Sequence, residues 1–200
     1  SNIIRSRDKL NHAMTVTGAT WGSQGRTFNG TSHQLLTTDN LITDANVLNW
    51  TCIAWVKVTG GAGTRRTIFS TKTTFDLAME ANASNQWQAN VQTALPGSGN
   101  LNQNAGTVVI DDWTHVAFTV AGNTTASTLK LYANAVQVGA DATDSGALAA
   151  GTDGLYIGVY RVGNDRWFPG IIGEVHILRG VVFSPAEIKR NYQTTQWRYR

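Results

Sequence analysis

The sequence predicts an all-β protein. Three observations carry that reading: apolar residues alternate with polar ones over short runs, clusters of Gly, Asn, Asp and Ser separate the runs, and helical punctuation is confined to the C-terminal end. With 200 residues, 42% hydrophobic and 14% charged, the chain has the means to bury a real core as one domain spanning 1–200. No fixed-period repeat and no dividing linker argue otherwise.

The elements follow in order. In "WTCIAWVKV" the alternation places Trp50, Cys52, Ala54, Val56 and Val58 on one face, with Thr51, Ile53, Trp55 and Lys57 on the other. "TFDLAMEA" groups Phe75, Leu77 and Met79 against Asp76, Ala78 and Glu80, and "QWQANV" sets Trp87, Ala89 and Val91 against Gln86, Gln88 and Asn90. If these two runs are neighbours, one sheet face is a polar surface of amides and carboxylates. The interval "TALPGSGNLNQNAG" reads as an exposed loop. "DDWTHVAFTV" directs Val116, Phe118 and Val120 inward after a turn at Asp111 and Asp112; "STLKLYANAVQV", "GLYIGVY" and "FPGIIGEVHIL" supply further strands. In "FSPAEIKRNY", Ser184 stands as N-cap, Pro185 at the first helical position and Glu187 three residues after the cap. Phe183 and Ile188 form the staple pair. So short a helix is stable only if its apolar side, Ile188 with Tyr192, docks on the sheets.

Bulk numbers narrow the function. The formal charge is +3 and no five-residue run of like charge exists, so no nucleic-acid partner is expected. No stretch approaches ~18 consecutive apolar residues and no signal-peptide pattern is visible, so neither is membrane insertion. The single cysteine, Cys52, forms no intrachain disulfide and lies on an apolar strand face, which marks a core residue. The four histidines show no metal-binding spacing. Of the seven tryptophans, Trp50 fits the core face, Trp113 opens a strand, and Trp55 or Trp87 is placed to close one end of a sandwich.

"RTFNGTSHQLLTTDN", "TCIAWVKV", "TIFS", "DDWTHVAFTV", "LKLYANAVQV", "LYIG", "FPGIIGEVHIL" and "FSPAEIKRNY" occur in the order found in laminin-G-like domains of the concanavalin A-like lectin/glucanase superfamily, which the chain resembles from about Thr27 to Tyr192. The resemblance implies a jelly-roll sandwich of two antiparallel sheets, one concave, with the short C-terminal helix leading to a last strand beside the N-terminal one. It also implies binding of carbohydrate or protein partners, catalysis in some members, and a structural calcium in many. Where such domains often carry two Asp residues, this chain has Asn29 and Gly173. Calcium prefers several charged oxygen ligands, so the ion is expected to bind weakly if at all, and no other cofactor is expected. Ala135 stands where a Gly after Asn often closes a tight turn, which suggests a looser connection.

Glycan cleavage needs two carboxylates about 5–9.5 Å apart. The chain has three glutamates: Glu187 is used in capping, Glu174 has no acid within two residues, and Glu80 shares a face with Asp76 at roughly 13 Å along the strand. No catalytic residue and no metal site are therefore assigned. The expected ligand groups are Asp76, Glu80, Gln86, Gln88 and Asn90 on the polar face. To these the loop "YRVGNDRWF" adds Tyr160, Arg161, Asn164, Asp165 and Trp167. The reading that follows is a non-catalytic, lectin-like module that recognises a glycan or glycosylated surface and sits extracellularly or on a virion or cell surface. The alternatives are an adhesion module that binds protein in a larger assembly and a polysaccharide-cleaving enzyme.

Overall fold

The computed structural model describes residues 3–37, 49–71, 77–93, 99–123, 125–146, 154–160 and 165–200. Its strands form two antiparallel sheets. The eight-stranded sheet runs, edge to edge, β1 (Ile3–Arg5), β2 (Ala13–Thr17), β5 (Gln34–Thr37), β14 (Leu155–Ile157), β7 (Arg66–Thr71), β8 (Leu77–Ala81), β9 (Trp87–Val91) and β10 (Leu101–Ala105). The seven-stranded sheet runs β13 (Val136–Asp144), β12 (Ser127–Ala133), β11 (Trp113–Gly122), β6 (Asn49–Val58), β15 (Pro169–Arg179), β4 (Gly25–Asn29) and β3 (Thr20–Gly22). Sequence-distant strands lie side by side, β14 against β5 and β15 against β4, as the crossovers of a jelly roll require.

The predicted alternation is what fills the space between the sheets. Trp50, Cys52, Ala54, Val56 and Val58 from β6 meet Leu77, Met79, Trp87, Ala89 and Val91 from the opposite sheet, with Phe118 and Val120 of β11 beside them, all at 1% exposure or less. Burial pushes the Cys52 thiol far up from its ordinary value, so it stays protonated and unreactive.

Strand β10 departs from the expected exposed loop. Residues 101–105 alternate, with Leu101 and Ala105 turned into the core and Asn102 and Asn104 exposed, and they pair in register with β9. The polar composition of the flanking residues masks that period of two.

The outer face of the seven-stranded sheet is covered by helix α1 (Pro185–Thr195). Its start is as the sequence predicts: the Ser184 hydroxyl accepts from Glu187 N–H while the Glu187 carboxylate accepts from Ser184 N–H at 2.7 Å. Ile188 docks, fully buried, on Ile53, Ala117 and Tyr132, with Phe183 packed against the same group. The implied last strand is replaced by a 3₁₀ turn, η1 (Gln196–Arg198). After it, Tyr199 folds back onto the sheet.

Trp55 is accordingly beneath the helix rather than at an end of the sandwich. Its ring stacks on Tyr192 at 5.5 Å and on Tyr199 at 4.7 Å, and its indole N–H donates to Thr195 Oγ1 at 2.8 Å. Tyr199 also meets Trp113 at 4.7 Å, and His115 lies edge-on to Trp55 with Nε2 2.9 Å from Asn191 Oδ1. Aromatic pairs of this kind contribute about 0.5–1.5 kcal/mol each beyond burial, enough to hold a helix too short to persist alone.

The Asn134-Ala135 connection is tight, not loose. Ala133 pairs directly with Val136, and both loop residues take positive φ, 47° and 66°, the geometry of a two-residue hairpin turn. The alanine therefore carries the left-handed strain that a glycine would avoid.

Replacing Ala135 with Gly should stabilise the protein by about 0.5–1 kcal/mol, read as a higher urea midpoint at unchanged slope. A second expectation concerns acid. Burial pushes the His115 imidazole down from 6.5 to about 4. Between those values the unfolded chain binds a proton that the folded chain refuses, so stability falls as the pH is lowered through the window, by on the order of 3 kcal/mol. Urea midpoints taken between about pH 7 and pH 4 should decline less for His115→Asn than for the parent.

Candidate functional site

Helix and tail occupy the outer face of one sheet, which leaves the outer face of the eight-stranded sheet as the place where polar groups gather. Two cross-strand rows form there. Thr67, Glu80, Gln88 and Asn104 lie side by side across β7 to β10, and Ser70, Ala78, Asn90 and Asn102 form the parallel row. The period of two that buries Met79 and Ala89 is what turns Glu80, Gln88 and Asn90 to this side.

Glu80 is the centre of the arrangement and is fully buried. Its Oε1 is ion-paired and hydrogen-bonded to the Arg65 guanidinium; its Oε2 accepts from the Thr67 hydroxyl at 3.2 Å and lies 3.6 Å from Arg166. Arg65 also donates to Gln88 Oε1 at 3.2 Å, and Gln88 Nε2 donates to Asn102 Oδ1 at 3.2 Å. A continuous polar chain thus runs from Arg166 through Glu80, Arg65 and Gln88 to Asn102.

Arg166 is held in place from three directions. Its backbone is left-handed at φ 58°, its carbonyl accepts from Thr67 N–H at 2.8 Å, and its guanidinium sits 4.0 Å over the Tyr160 ring. Tyr160 and Asp165 pair as a bridge that closes this loop, and the Asp165 carboxylate is 3.7 Å from Arg166 Nε. A strained non-glycine residue that packs a cation on an aromatic ring and reaches a buried carboxylate is an over-determined local structure.

Of the residues singled out from sequence, Glu80, Gln88 and Asn90 do share one face, but at 0%, 6% and 7% exposure they are covered rather than open to water. Gln86, one residue before β9, is half-buried, as are Tyr160 and Trp167, while Asp165 is exposed. Asp76, Arg161 and Asn164 lie outside the described residues. The groups that reach solvent beside the buried network are others: Arg65, whose side chain is 33% exposed, Arg166, 23% exposed, and the exposed amides of Asn102 and Asn104. The alternation of "LNQNA" carries the Asn pair, but the polar residues around it hide the signal; nothing local to Arg65 or Arg166 announces that a distant Glu80 lies between them.

The other glutamates have structural partners. Glu174 is ion-paired to Arg198 and accepts from His176 at 2.9 Å, a bond that, with Arg198, holds its carboxyl below the usual range. Glu187 is used in the capping box. The two positions tied to calcium are otherwise engaged. Asn29 Oδ1 already accepts from Thr31, Ser32 and His33 N–H at 3.0, 2.9 and 3.1 Å, and a Cβ on Gly173 would stand 2.5 Å from the Tyr199 ring. Among the described residues no group of three or more His, Cys, Asp or Glu is placed to hold a metal, and no helix is long and apolar enough to cross a membrane.

The Laminin_G_3 family model, described as concanavalin A-like lectin/glucanases superfamily, matches residues 13–189. No curated protein matches the chain in sequence. Solved structures are similar in fold at low identity. A native heptameric SAP-like pentraxin from Limulus polyphemus is 15% identical, TM-score 0.58, over 85% of this chain and 82% of that one. Trypanosoma rangeli sialidase in complex with 2,3-difluorosialic acid is 15% identical, TM-score 0.67, over 94% of this chain but 30% of that one. The botulinum neurotoxin serotype G binding domain is 11% identical, TM-score 0.64, over 96% of this chain and 48% of that one. The chain thus spans about a third of the sialidase and half of the toxin domain.

The Glu80 network makes a stability expectation. Arg65→Met leaves a buried carboxylate with a weaker set of partners and should cost about 2–3 kcal/mol, while adding Glu80→Gln to it should recover part of that loss. Chemical denaturation of the two single variants and the double variant yields the coupling energy directly.

Proposed function

The chain belongs to the concanavalin A-like lectin/glucanases superfamily through its Laminin_G_3 match, and from that premise we propose that it is a non-catalytic module binding a glycan or glycosylated surface. One observation carries the reading: a fully buried Glu80 orients two half-exposed guanidiniums, Arg65 and Arg166, beside the exposed amides of Asn102 and Asn104. Guanidinium and amide groups on one sheet face offer donors and acceptors to sugar hydroxyls, and for Arg65, Arg166 and Asn102 part of the ordering entropy is already spent on the internal network.

The binding groups therefore differ from those first expected. Glu80 acts as a positioning residue, Gln88 relays the network to Asn102, and contact falls to Arg65, Arg166, Asn102, Asn104, half-buried Gln86, Tyr160, Asp165 and Trp167. Catalysis is disfavoured because Glu80, Glu174 and Glu187 are each engaged in ion pairs or capping. A single shallow site is weak, so useful affinity comes from several copies on an oligomer or in a longer chain. A module of this kind works where glycans are displayed, outside the cell or on a virion or cell surface.

A second reading is an adhesion module that binds protein. Trp21 and Trp197, each 72% exposed, favour it, because exposed tryptophans are the side chains that most often anchor a protein partner.

The test is a glycan array probed with a tetrameric fusion of the chain and of its Arg166→Gly variant. Glycine suits the left-handed backbone at that position, but it also removes one partner of buried Glu80, so the thermal midpoint should fall somewhat while Arg65 keeps the carboxylate paired; measured below that midpoint on folded protein, apparent affinity should drop about tenfold. An array that stays blank for the parent transfers the weight to the protein-binding reading.

A further inference from the structure

A second polar concavity lies at the rim of the sandwich, away from the Glu80 network. It is a cleft of about 340 Å³ formed where the β6 end, the 109–114 turn, the β12–β13 hairpin and the C-terminal tail converge. That volume is at the small end of ligand sites.

Its lining is unusual in charge. Lys57 approaches from β6, Asp111 and Asp112 from the turn, and Arg200 from the tail, so two cations face two carboxylates. Yet neither aspartate nor Lys57 makes an ion pair among the described residues, although opposite charges sharing so small a space would gain by closing on each other. Lys57 is held by its strand and Asp111 by a left-handed turn, φ 65°, whose N–H donates to Val58 O at 2.8 Å. Among the described residues these three side chains thus stand at the cleft without an ion-pair partner, so their charged groups remain available to a ligand.

The remaining groups add direction. Trp113 packs one side against Tyr199 at 4.7 Å, remains half-buried, and lines the cleft. Asn134 Oδ1 is taken by His115 N–H at 3.0 Å, which leaves its amino group to donate. Thr114, 5% exposed, also lines the cleft, and its hydroxyl has no hydrogen-bond partner among the described residues.

We propose that this rim cleft is a separate saccharide-binding site, taking a short neutral sugar against the Trp113 ring. The lining charges sum to zero, which gives no preference for a polyanion or a polycation. Carboxylates, an ammonium, an amide N–H₂ and a hydroxyl around one aromatic ring answer a ligand that carries many hydroxyls and an apolar ring face. The cleft is distinct from the site on the eight-stranded sheet and stands or falls without it.

The experiment is a two-dimensional ¹H–¹⁵N NMR titration of the full chain with cellobiose, lactose, maltose and mannobiose in turn. Saturable shifts of the Trp113 indole N–H and of the 111–114 amides are expected for at least one disaccharide. The dissociation constant should rise about tenfold in Asp112→Ala and in Lys57→Ala, and stay unchanged in Lys9→Ala, an exposed residue outside both sites. Both substituted residues are surface-accessible, and dispersed spectra of the variants verify folding. The proposal is overturned if none of the four sugars moves those signals, if the shifts survive both substitutions, or if shifts occur only around Arg65 and Arg166.

Discussion

Strand β6 is buried on both sides, and much of the molecule is arranged to allow it. Its inner residues, Trp50 through Val58 by twos, belong to the core between the sheets. Its outer residues, Thr51, Ile53 and Trp55, are equally hidden, at 0%, 1% and 3% exposure. A strand with an apolar outer face cannot lie on a solvated sheet without a cover. Helix α1 and the tail supply it through Ile188, Tyr192 and Tyr199, which explains why so carefully capped a helix stands near the end of an otherwise β chain.

That cover decides which outer face is left to polar groups. With one outer face filled by rings and aliphatic side chains, the opposite outer face becomes the site for polar groups. Glu80, Gln88 and Asn90 occupy it, but burying a carboxylate is tolerable only with charge compensation and full hydrogen bonding, and Arg65, Arg166 and Thr67 provide both. The same requirement that satisfies Glu80 presents two guanidiniums toward solvent in a fixed geometry. Structure and the proposed recognition are thereby linked through one side chain that a ligand need never touch.

Much of the fold was legible because strand alternation and capping are local signals. The inward sets of β6, β8, β9 and β11 follow from a period of two, and the helix start from Ser184, Pro185 and Glu187 in order. β10 was missed because its apolar residues, Leu101 and Ala105, are separated by a polar Gln103 and embedded in a Gly- and Asn-rich context. The candidate site was only half legible. Alternation assigns Glu80 and Gln88 to a face, but whether that face is wet depends on Arg65, fifteen residues away, and on Arg166 from a distant loop. Such long-range pairing leaves no periodic trace. Ala135 shows the converse: the backbone kept its tight turn against local preference because the β12–β13 pairing required it.

Gly173 has a meaning beyond the absent aspartate. The Tyr199 ring fills the space a side chain at Gly173 would need, and even a methyl group there would intrude to 2.5 Å of the ring. The smallest side chain in the alphabet thus serves as the keyhole for the tail: any larger one would prise Tyr199 from Trp55 and Trp113, unseat Arg198 from Glu174, and uncover the aromatic floor beneath. A carboxylate at 173 and a tail in this seat are mutually exclusive, so a relative that keeps its acid here must close the same sheet in a different way.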